Sequence, residues 1–246
     1  MCGADIVNWG HIMALADIRR EYARAGLRRT ELDANPIAQF ETWFRAATGE
    51  QVHGRWRKIG IALYKLWSAI GNHRPADINA MTLATVDQDG KPSTRTVLLK
   101  GVDERGFIFF TNYNSRKGRE LAANPNAALT FFWPELERQV CIGGTVVKLP
   151  ADESAAYFKS RPRGSRIGAW ASNQSEPVPD REFLEAKWRE LEKKFSQEIP
   201  PPPNWGGFVL RPERIEFWQG RPSRLHDRFQ YTRRLDGSWQ VERLAP

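Results

Sequence analysis

The sequence predicts a mainly β protein with peripheral helices, in which an antiparallel sheet closes fully or partly into a barrel. From residue 80 onward, short β-rich runs are separated by turn signals, and Asp89-Gly90 and Asp236-Gly237 are typical of tight hairpins. The connections are too short for the crossover helices that parallel strands require, except at residues 115–123. These two observations favour antiparallel pairing of the strands.

The predicted elements follow one another in a simple order. Helices are predicted at residues 14–25 and 35–47, where the sequence has a helical character. Strands follow at 80–86, 94–100, 107–111, 127–133 and 138–149, then helices at 152–160 and 180–196, strands at 208–211 and 215–219, and a last hairpin. We divide the chain into an N-terminal helical extension at 1–48, a basic insertion at 49–75 and a barrel domain at 76–246.

The basic insertion contains a predicted amphipathic helix at residues 56–70. Its six large apolar residues fall within an arc of roughly 100°, and Arg57, Lys58 and Lys65 lie opposite. The favoured interpretation is that the apolar stripe packs on the body of the protein or on a partner subunit. A membrane-surface or regulatory role is the alternative.

Composition excludes several classes of protein. No run of about 18 apolar residues marks a membrane span, and no secretory signal is recognisable at the N-terminus, so a cytoplasmic enzyme is expected. Cys2 and Cys141 are too few for a disulfide framework, and neither they nor the four histidines have metal-ligand spacing. No metal site is therefore predicted.

The formal net charge of +8 is concentrated in one place. Residues 51–75 hold five Lys or Arg and no Asp or Glu, which leaves +3 for the rest of the chain. That balance suits a protein that binds small phosphorylated ligands, and no nucleic-acid-binding motif is present. Nucleic acid is not expected as a partner.

Two segments in the first half of the predicted barrel have the residues of anion sites. Ser115 is placed to cap a helix whose free N–H groups, together with Arg116 and Lys117, attract a phosphate. The run from Arg95 to Lys100 has basic residues at both ends, on opposite faces of an extended strand. Alone, each pattern also fits an ordinary cap or an edge strand with solvated ends.

Two later segments add further polar groups. Tyr157, Arg161, Arg163 and Ser165 gather near a predicted helix end, and guanidinium groups and hydroxyls commonly grip phosphate monoesters. Between Trp218 and Arg228, Arg224 and His226 are two residues apart, so in an extended chain they project to the same side and face a bound ring together. The alternatives are bases that complement a helix dipole, and a structural pair of His226 with Asp227.

Four segments closely resemble, in the same order, the motifs of the pyridoxamine 5′-phosphate oxidase family. They are RTVLLK, SRKGREL, YFKSRPRGSRIGAWASNQS and EFWQGRPSRLHDR. The resemblance extends from about residue 13 to the C-terminus. It implies a split β-barrel of the FMN-binding type and a homodimer with FMN at the subunit interface. The implied activity is oxidation of pyridoxamine or pyridoxine 5′-phosphate to pyridoxal 5′-phosphate, with O2 as electron acceptor and H2O2 as product.

The resemblance also implies roles for individual residues. FMN-binding roles fall on Arg95, Thr96, Val97, Leu98, Lys100, Phe110, Thr111, Ser115, Arg116, Lys117, Gln139, Gln174, Ser175, Trp218 and Arg228, some of them from the other subunit. Substrate-binding roles fall on Arg19, Tyr22, Lys100, Tyr157, Arg161, Ser165, Arg224 and His226. Arg224 and His226 are the expected catalytic residues: Arg224 assists proton removal or orients the amine or alcohol, and His226 positions the substrate.

The chain departs from the family pattern in two places. Phe110 stands where many members have Tyr, and the insertion at 49–75 adds some twenty residues, which bears on whether Arg19 and Tyr22 reach the substrate.

The competing hypotheses are a flavin reductase-like enzyme of the same fold, a non-catalytic protein that binds pyridoxal phosphate or flavin, and a nucleic-acid or membrane-surface module built on the insertion.

Overall fold

The computed structural model describes residue 22, residues 26–49 and residues 77–246 of the chain. The helices predicted at residues 14–25 and 56–70 lie outside these ranges, apart from Tyr22, and so does Arg19. Within the described part of the chain, no helix is both long and apolar enough to span a membrane.

The fold is one curled antiparallel sheet with helices around it, as the sequence predicts. The strands are β1 (Ala80–Val86), β2 (Pro92–Leu98), β3 (Gly101–Asp103), β4 (Gly106–Asn112), β5 (Asn126–Trp133), β6 (Arg138–Lys148), β7 (Trp205–Gln219), β8 (Asp227–Arg233) and β9 (Trp239–Leu244). Their order is β2-β1-β5-β6-β7-β4-β3, and β8 pairs with both β7 and β9. Every pairing between these described strands is antiparallel.

Three of the five helices in the described residues begin at a side-chain cap. The five helices are α1 (Pro36–Ala47), α2 (Arg116–Ala123), α3 (Ala151–Ser160), α4 (Arg163–Ala171) and α5 (Arg181–Lys194). The side chain of Asn35 caps α1, Ser115 caps α2 and Asp180 caps α5, each by accepting a hydrogen bond from a backbone N–H of the first turn. These caps bear out the predicted starts of the three helices.

Alternation along the strands directs large side chains into the curl of the sheet, where α1 covers them. On β5, Leu129, Phe131 and Trp133 are buried, whereas the intervening Phe132 is exposed. From α1, Phe40 packs against Phe131 with ring centroids 5.0 Å apart. The barrel interior is therefore a filled core, and ligand sites lie outside it.

Helices α3, α4 and α5 form a second, smaller layer beside the start of β7. Phe158, Ile167 and Ile199 are its buried centre, and Trp170 and Trp205 pack against them. This layer provides one wall of the cavity described below.

Two differences from the predicted elements have physical causes. Helix α4 was not predicted, because Gly164 and Gly168 weaken its helical pattern. The two strands predicted at 208–211 and 215–219 form one strand, since β7 continues through Pro212 at a bulge opposite Gly143 and Gly144.

Candidate active site

A cavity of about 870 Å³ lies between β2, β4, the start of α2 and the layer of α3 and α4. Fourteen of the predicted ligand-binding residues line it: Arg95, Thr96, Val97, Leu98, Lys100, Phe110, Thr111, Arg116, Lys117, Tyr157, Arg161, Ser165, Gln174 and Ser175. The described lining holds five Lys or Arg side chains and no carboxylate. Such a lining suits a ligand with several negative charges.

The start of α2 forms one end of this cavity. Ser115 is fully buried, caps α2 through the N–H of Gly118, and itself donates to the carbonyl oxygen of Asn112 at 2.6 Å. A side chain at Gly118 would clash with the carbonyl oxygen of Tyr113, so the close approach of β4 and α2 requires glycine. The helix start is thereby held against the end of β4.

Lys117 is the buried cation of this subsite. Its Nζ donates to Gln174 Oε1 at 2.8 Å and to Thr111 Oγ1 at 3.2 Å. Burial, and after it the charge of Arg95, lower the pKa of Lys117 to about 8 against an opposing effect of Glu120. An anion placed beside this ammonium restores the charged form, so the subsite favours a phosphate.

Glu120 lies behind the cavity wall and fixes two of its cations. Its carboxylate accepts hydrogen bonds from Arg95 Nη2 at 3.1 Å and from Arg116 Nε at 2.8 Å. Burial alone would raise the pKa of Glu120, but hydrogen bonds from Thr85, Ser93 and these arginines lower it to about 2. The carboxylate therefore stays ionised and orients both guanidinium groups.

Arg161, at the end of α3, is the main cation of a second subsite. Its Nη1 is buried and has no hydrogen-bond partner in the structure, and its desolvation lowers the pKa of the group. Ser165, in the first turn of α4, and Lys100, just beyond β2, line the same cavity. A buried guanidinium nitrogen without a partner, beside a hydroxyl, a lysine and a helix start, is suited to a second phosphate.

Three aromatic rings lie between the α3 helix and the sheet in nearly parallel planes. The Phe110 ring lies 3.9 Å from the Tyr157 ring and 5.4 Å from the Trp205 ring, centroid to centroid. Phe110 therefore retains a stacking role in this wall without a phenolic hydroxyl. Trp205 was not predicted as a site residue, because a lone Trp after a proline run has no local signal of function.

The remaining predicted residues form a separate group at the far end of β7. In register, Trp218 lies opposite Gln139 on β6 and opposite Arg228 on β8. The Trp218 ring lies 4.6 Å from that of His226 and 5.6 Å from that of Tyr22. Tyr22 thus contacts this group, at His226, and does not line the cavity.

The expectation that Arg224 and His226 project together from an extended chain is wrong. Pro222–Arg224 form a 3-10 turn, and Ser223 and Arg224 adopt φ values of +56° and +61°. Pro222 fixes the start of this turn, and a non-glycine residue at positive φ is uncommon. Arg224 is exposed and makes no hydrogen bond or ion pair with the part of the chain that the structure describes.

His226 has a defined orientation. Its Nδ1 accepts a hydrogen bond from the backbone N–H of Arg221 at 3.1 Å. In the neutral imidazole the proton is then on Nε2, which can donate to a ligand. Beside it, Asp227 accepts from the N–H of Leu27 at 2.9 Å and from Arg243 Nη1 at 2.6 Å. His226 and Asp227 therefore have different partners, and the alternative of a structural His226–Asp227 hydrogen bond is wrong.

One chain keeps these two groups of residues apart. Trp205 begins β7 beside the cavity and Trp218 lies near its other end, a contour of about 43 Å at roughly 3.3 Å per residue. Among the described residues, the cavity lining includes none of Gln139, Trp218, Arg224, His226 and Arg228. Within one chain, therefore, the two groups of residues do not share this cavity.

Comparison with known proteins identifies the family of the chain. Residues 73–195 match the family model described as pyridoxamine 5′-phosphate oxidase, and residues 205–246 match the pyridoxine 5′-phosphate oxidase C-terminal dimerisation region. The chain is 54% identical over 233 residues to pyridoxine/pyridoxamine 5′-phosphate oxidase 1 of Ralstonia nicotianae, covering 95% of this chain and 99% of that protein. It is 53% identical over 234 residues to the corresponding oxidase of Paraburkholderia phytofirmans, with the same coverage.

A solved structure gives the same result for the fold. PhzG from Burkholderia lata, solved with tetrahydrophenazine-1-carboxylic acid, is similar with a TM-score of 0.74 and 28% identity, over 92% of this chain and 100% of that one. Family model, relatives and fold therefore agree with the motifs in the cavity. The chain belongs to the pyridoxamine 5′-phosphate oxidase family of oxidoreductases.

Proposed function

We propose that this chain is an FMN-dependent oxidase that converts pyridoxamine or pyridoxine 5′-phosphate to pyridoxal 5′-phosphate, with O2 as acceptor and H2O2 as product, in the cytoplasm. One observation carries the proposal: the described cavity lining has five cationic side chains and no carboxylate, and the buried Arg161 Nη1 lacks a partner. Two phosphate dianions, one from FMN and one from the substrate, account for this excess of positive charge.

The residues of the first subsite fit FMN. Arg95, Arg116 and Lys117 would hold its phosphate at the start of α2, and the residues of β2 would line its ring system. The cavity of about 870 Å³ is within the usual range of roughly 300–1,000 Å³ for such ligands. When bound, FMN supplies the two-electron chemistry that no protein side chain offers.

The second subsite fits the phosphate of the substrate. Arg161 would donate from its unpartnered Nη1, Ser165 from its hydroxyl and Lys100 from its ammonium group. With the phosphate held here, the pyridine ring would lie within the same cavity and its C4′ carbon beside the flavin. Fixing both phosphates converts the reaction between two ligands into one within a single complex, which is the protein's main contribution.

A second copy of the chain completes the site in this proposal. The matched dimerisation region, 205–246, contains Trp218, Arg224, His226 and Arg228, which one chain holds away from its own cavity. In a homodimer these residues of one subunit would close the cavity of the other.

The reaction removes a hydride equivalent from C4′ and a proton from the substrate oxygen or nitrogen. A guanidinium is always protonated, so Arg224 would orient that heteroatom and favour loss of its proton. His226 would position the substrate by donating from Nε2, since the Arg221 N–H occupies Nδ1. For the amine, water then releases ammonia and leaves the aldehyde.

The test is an absorbance spectrum of the purified protein, followed by anaerobic addition of pyridoxine 5′-phosphate without NAD(P)H. The expected result is a flavin spectrum that bleaches on addition and recovers in air, with one H2O2 formed for each aldehyde. Flavin that bleaches only with NAD(P)H would establish the reductase alternative. Bound pyridoxal phosphate or flavin without any turnover would establish the non-catalytic one.

A further inference from the structure

Trp205 contacts two side chains with predicted substrate-binding roles, Tyr157 on α3 and Arg161 just beyond it. The Arg161 guanidinium carbon lies 4.9 Å from the centroid of the Trp205 ring, and the Tyr157 ring is nearly parallel to it at 6.2 Å. Trp205 also lines the cavity. Among the described residues, Trp205 alone contacts both side chains through one ring. Phe110 stacks on Tyr157 and Trp205 but makes no described contact with Arg161.

Aromatic rings hold the Arg161 guanidinium in place of a carboxylate. The Phe158 ring is also close to the guanidinium, at 5.6 Å, and the Arg161 side chain makes no hydrogen bond or ion pair with any described residue. A cation held over a ring keeps its full charge and its N–H donors, whereas one paired with a carboxylate is partly neutralised. The Arg95 and Arg116 side chains form ion pairs with Glu120 and are therefore cations of the partly neutralised kind.

The position of Trp205 is itself fixed by the fold. It is the first residue of β7, opposite Asn112 on β4, and its backbone N–H donates to the carbonyl oxygen of Pro202 at 3.0 Å. The edge of its ring also meets the buried Phe158 ring at 4.8 Å. A rigid indole thus places the flexible Arg161 side chain at the cavity wall.

We propose that Trp205 is a positioning residue that orients Arg161 toward the phosphate of the ligand and so sets the preference for phosphorylated over unphosphorylated pyridine substrates. The inference rests on the proposed function. It adds a residue that acts through Arg161 and leaves the phosphate end of the flavin subsite unchanged, because Trp205 has no described contact with Arg95, Arg116 or Lys117.

The experiment compares Trp205→Leu, Trp205→Phe and Trp170→Leu in the flavin-loaded protein. Trp170 packs in the same apolar cluster but does not line the cavity, so Trp170→Leu is the matched control for loss of an indole. KM and kcat are measured for pyridoxine 5′-phosphate and for pyridoxine. The Kd values of pyridoxal 5′-phosphate and of pyridoxal are measured by calorimetry, because a binding measurement requires no turnover.

For Trp205→Leu we expect KM for pyridoxine 5′-phosphate and Kd for pyridoxal 5′-phosphate to rise about tenfold. The values for the unphosphorylated compounds, kcat and flavin content should stay within about twofold, and Trp205→Phe should restore most of the loss because it keeps an aromatic face. Equal losses for both classes of ligand, or a Trp205→Phe variant no better than Trp205→Leu, would overturn the inference. If the wild type binds these ligands without oxidising them, the proposed function fails, and the ratio of the two Kd values still decides the role of Trp205.

Discussion

The ammonium group of Lys117 lies 2.8 Å from Gln174 Oε1 and links the start of α2 to the segment that follows α4. This hydrogen bond connects the sheet side of the cavity to its helical side. Because Lys117 is buried, its pKa is lowered to about 8, so its charge is sensitive to a ligand and to pH.

The first prediction concerns flavin binding and pH. Lys117 must be charged to hold a phosphate, and a phosphate monoester is already a dianion above pH ~7. Between pH 8 and 10 we therefore expect the Kd of FMN for the apoprotein to rise as Lys117 loses its proton. Lys117→Met should weaken binding at pH 7.5 and abolish this pH dependence. A wild-type Kd that is constant over this range in fluorescence titrations would contradict the assignment.

The second prediction concerns the Glu120 network. Glu120→Gln removes the charge that Arg95 and Arg116 face, and breaking its largely buried pair with Arg95 costs about 3 kcal/mol in the free energy of unfolding. Glu185→Gln is the control, since it breaks an exposed pair with Arg181 and should cost less than about 1 kcal/mol. Urea unfolding of both apoproteins measures the difference. Equal losses would mean that burial of Glu120 adds nothing.

The same carboxylate gives a pH dependence with a definite sign. The pKa of Glu120 falls from 4.5 to about 2 on folding, so its contribution is complete above pH ~4.5 and is lost as pH falls toward 2. The stability difference between wild type and Glu120→Gln should therefore shrink steadily over this interval. A difference that is constant from pH 5 to pH 2.5 would show that the carboxylate is not stabilised by folding.

The third prediction concerns the contact of the Tyr22 ring with the rings of Trp218 and His226. A side chain at Gly220 would press on the Tyr22 ring at 2.8 Å, so Gly220→Ala should displace Tyr22 and mimic Tyr22→Ala. We expect each variant to raise KM for pyridoxine 5′-phosphate with flavin content unchanged, and the double variant to add little. Steady-state kinetics of the three variants form the cycle. Fully additive effects would mean that Gly220 acts independently of Tyr22.

Local signals in the sequence predict most of the fold and much of the cavity. The cap at Ser115 and the alternation on β5 depend on neighbours along the chain, so the pattern alone identifies them. Arg224 departs from the predicted alternation because the turn after Pro222 is not extended. Trp205 depends on contacts with α3, which is some forty-five residues earlier in the sequence, and no local pattern contains that information.

The last prediction tests whether two chains share one active site. Lys117→Met damages the cavity, whereas Arg224→Met damages the distant group that one chain cannot bring to its own cavity. Each homodimer should be nearly inactive. When equal amounts of the two variants are unfolded together and refolded, about half of the dimers should be heterodimers. By two-fold symmetry each heterodimer has one intact site and one site that carries both changes. The mixture should therefore regain about a quarter of wild-type activity. A mixture as inactive as its components would mean that both groups serve the same subunit. Mixing Lys117→Met with Arg161→Ala is the control, since both changes lie in the same cavity and no pairing of these subunits restores an intact site.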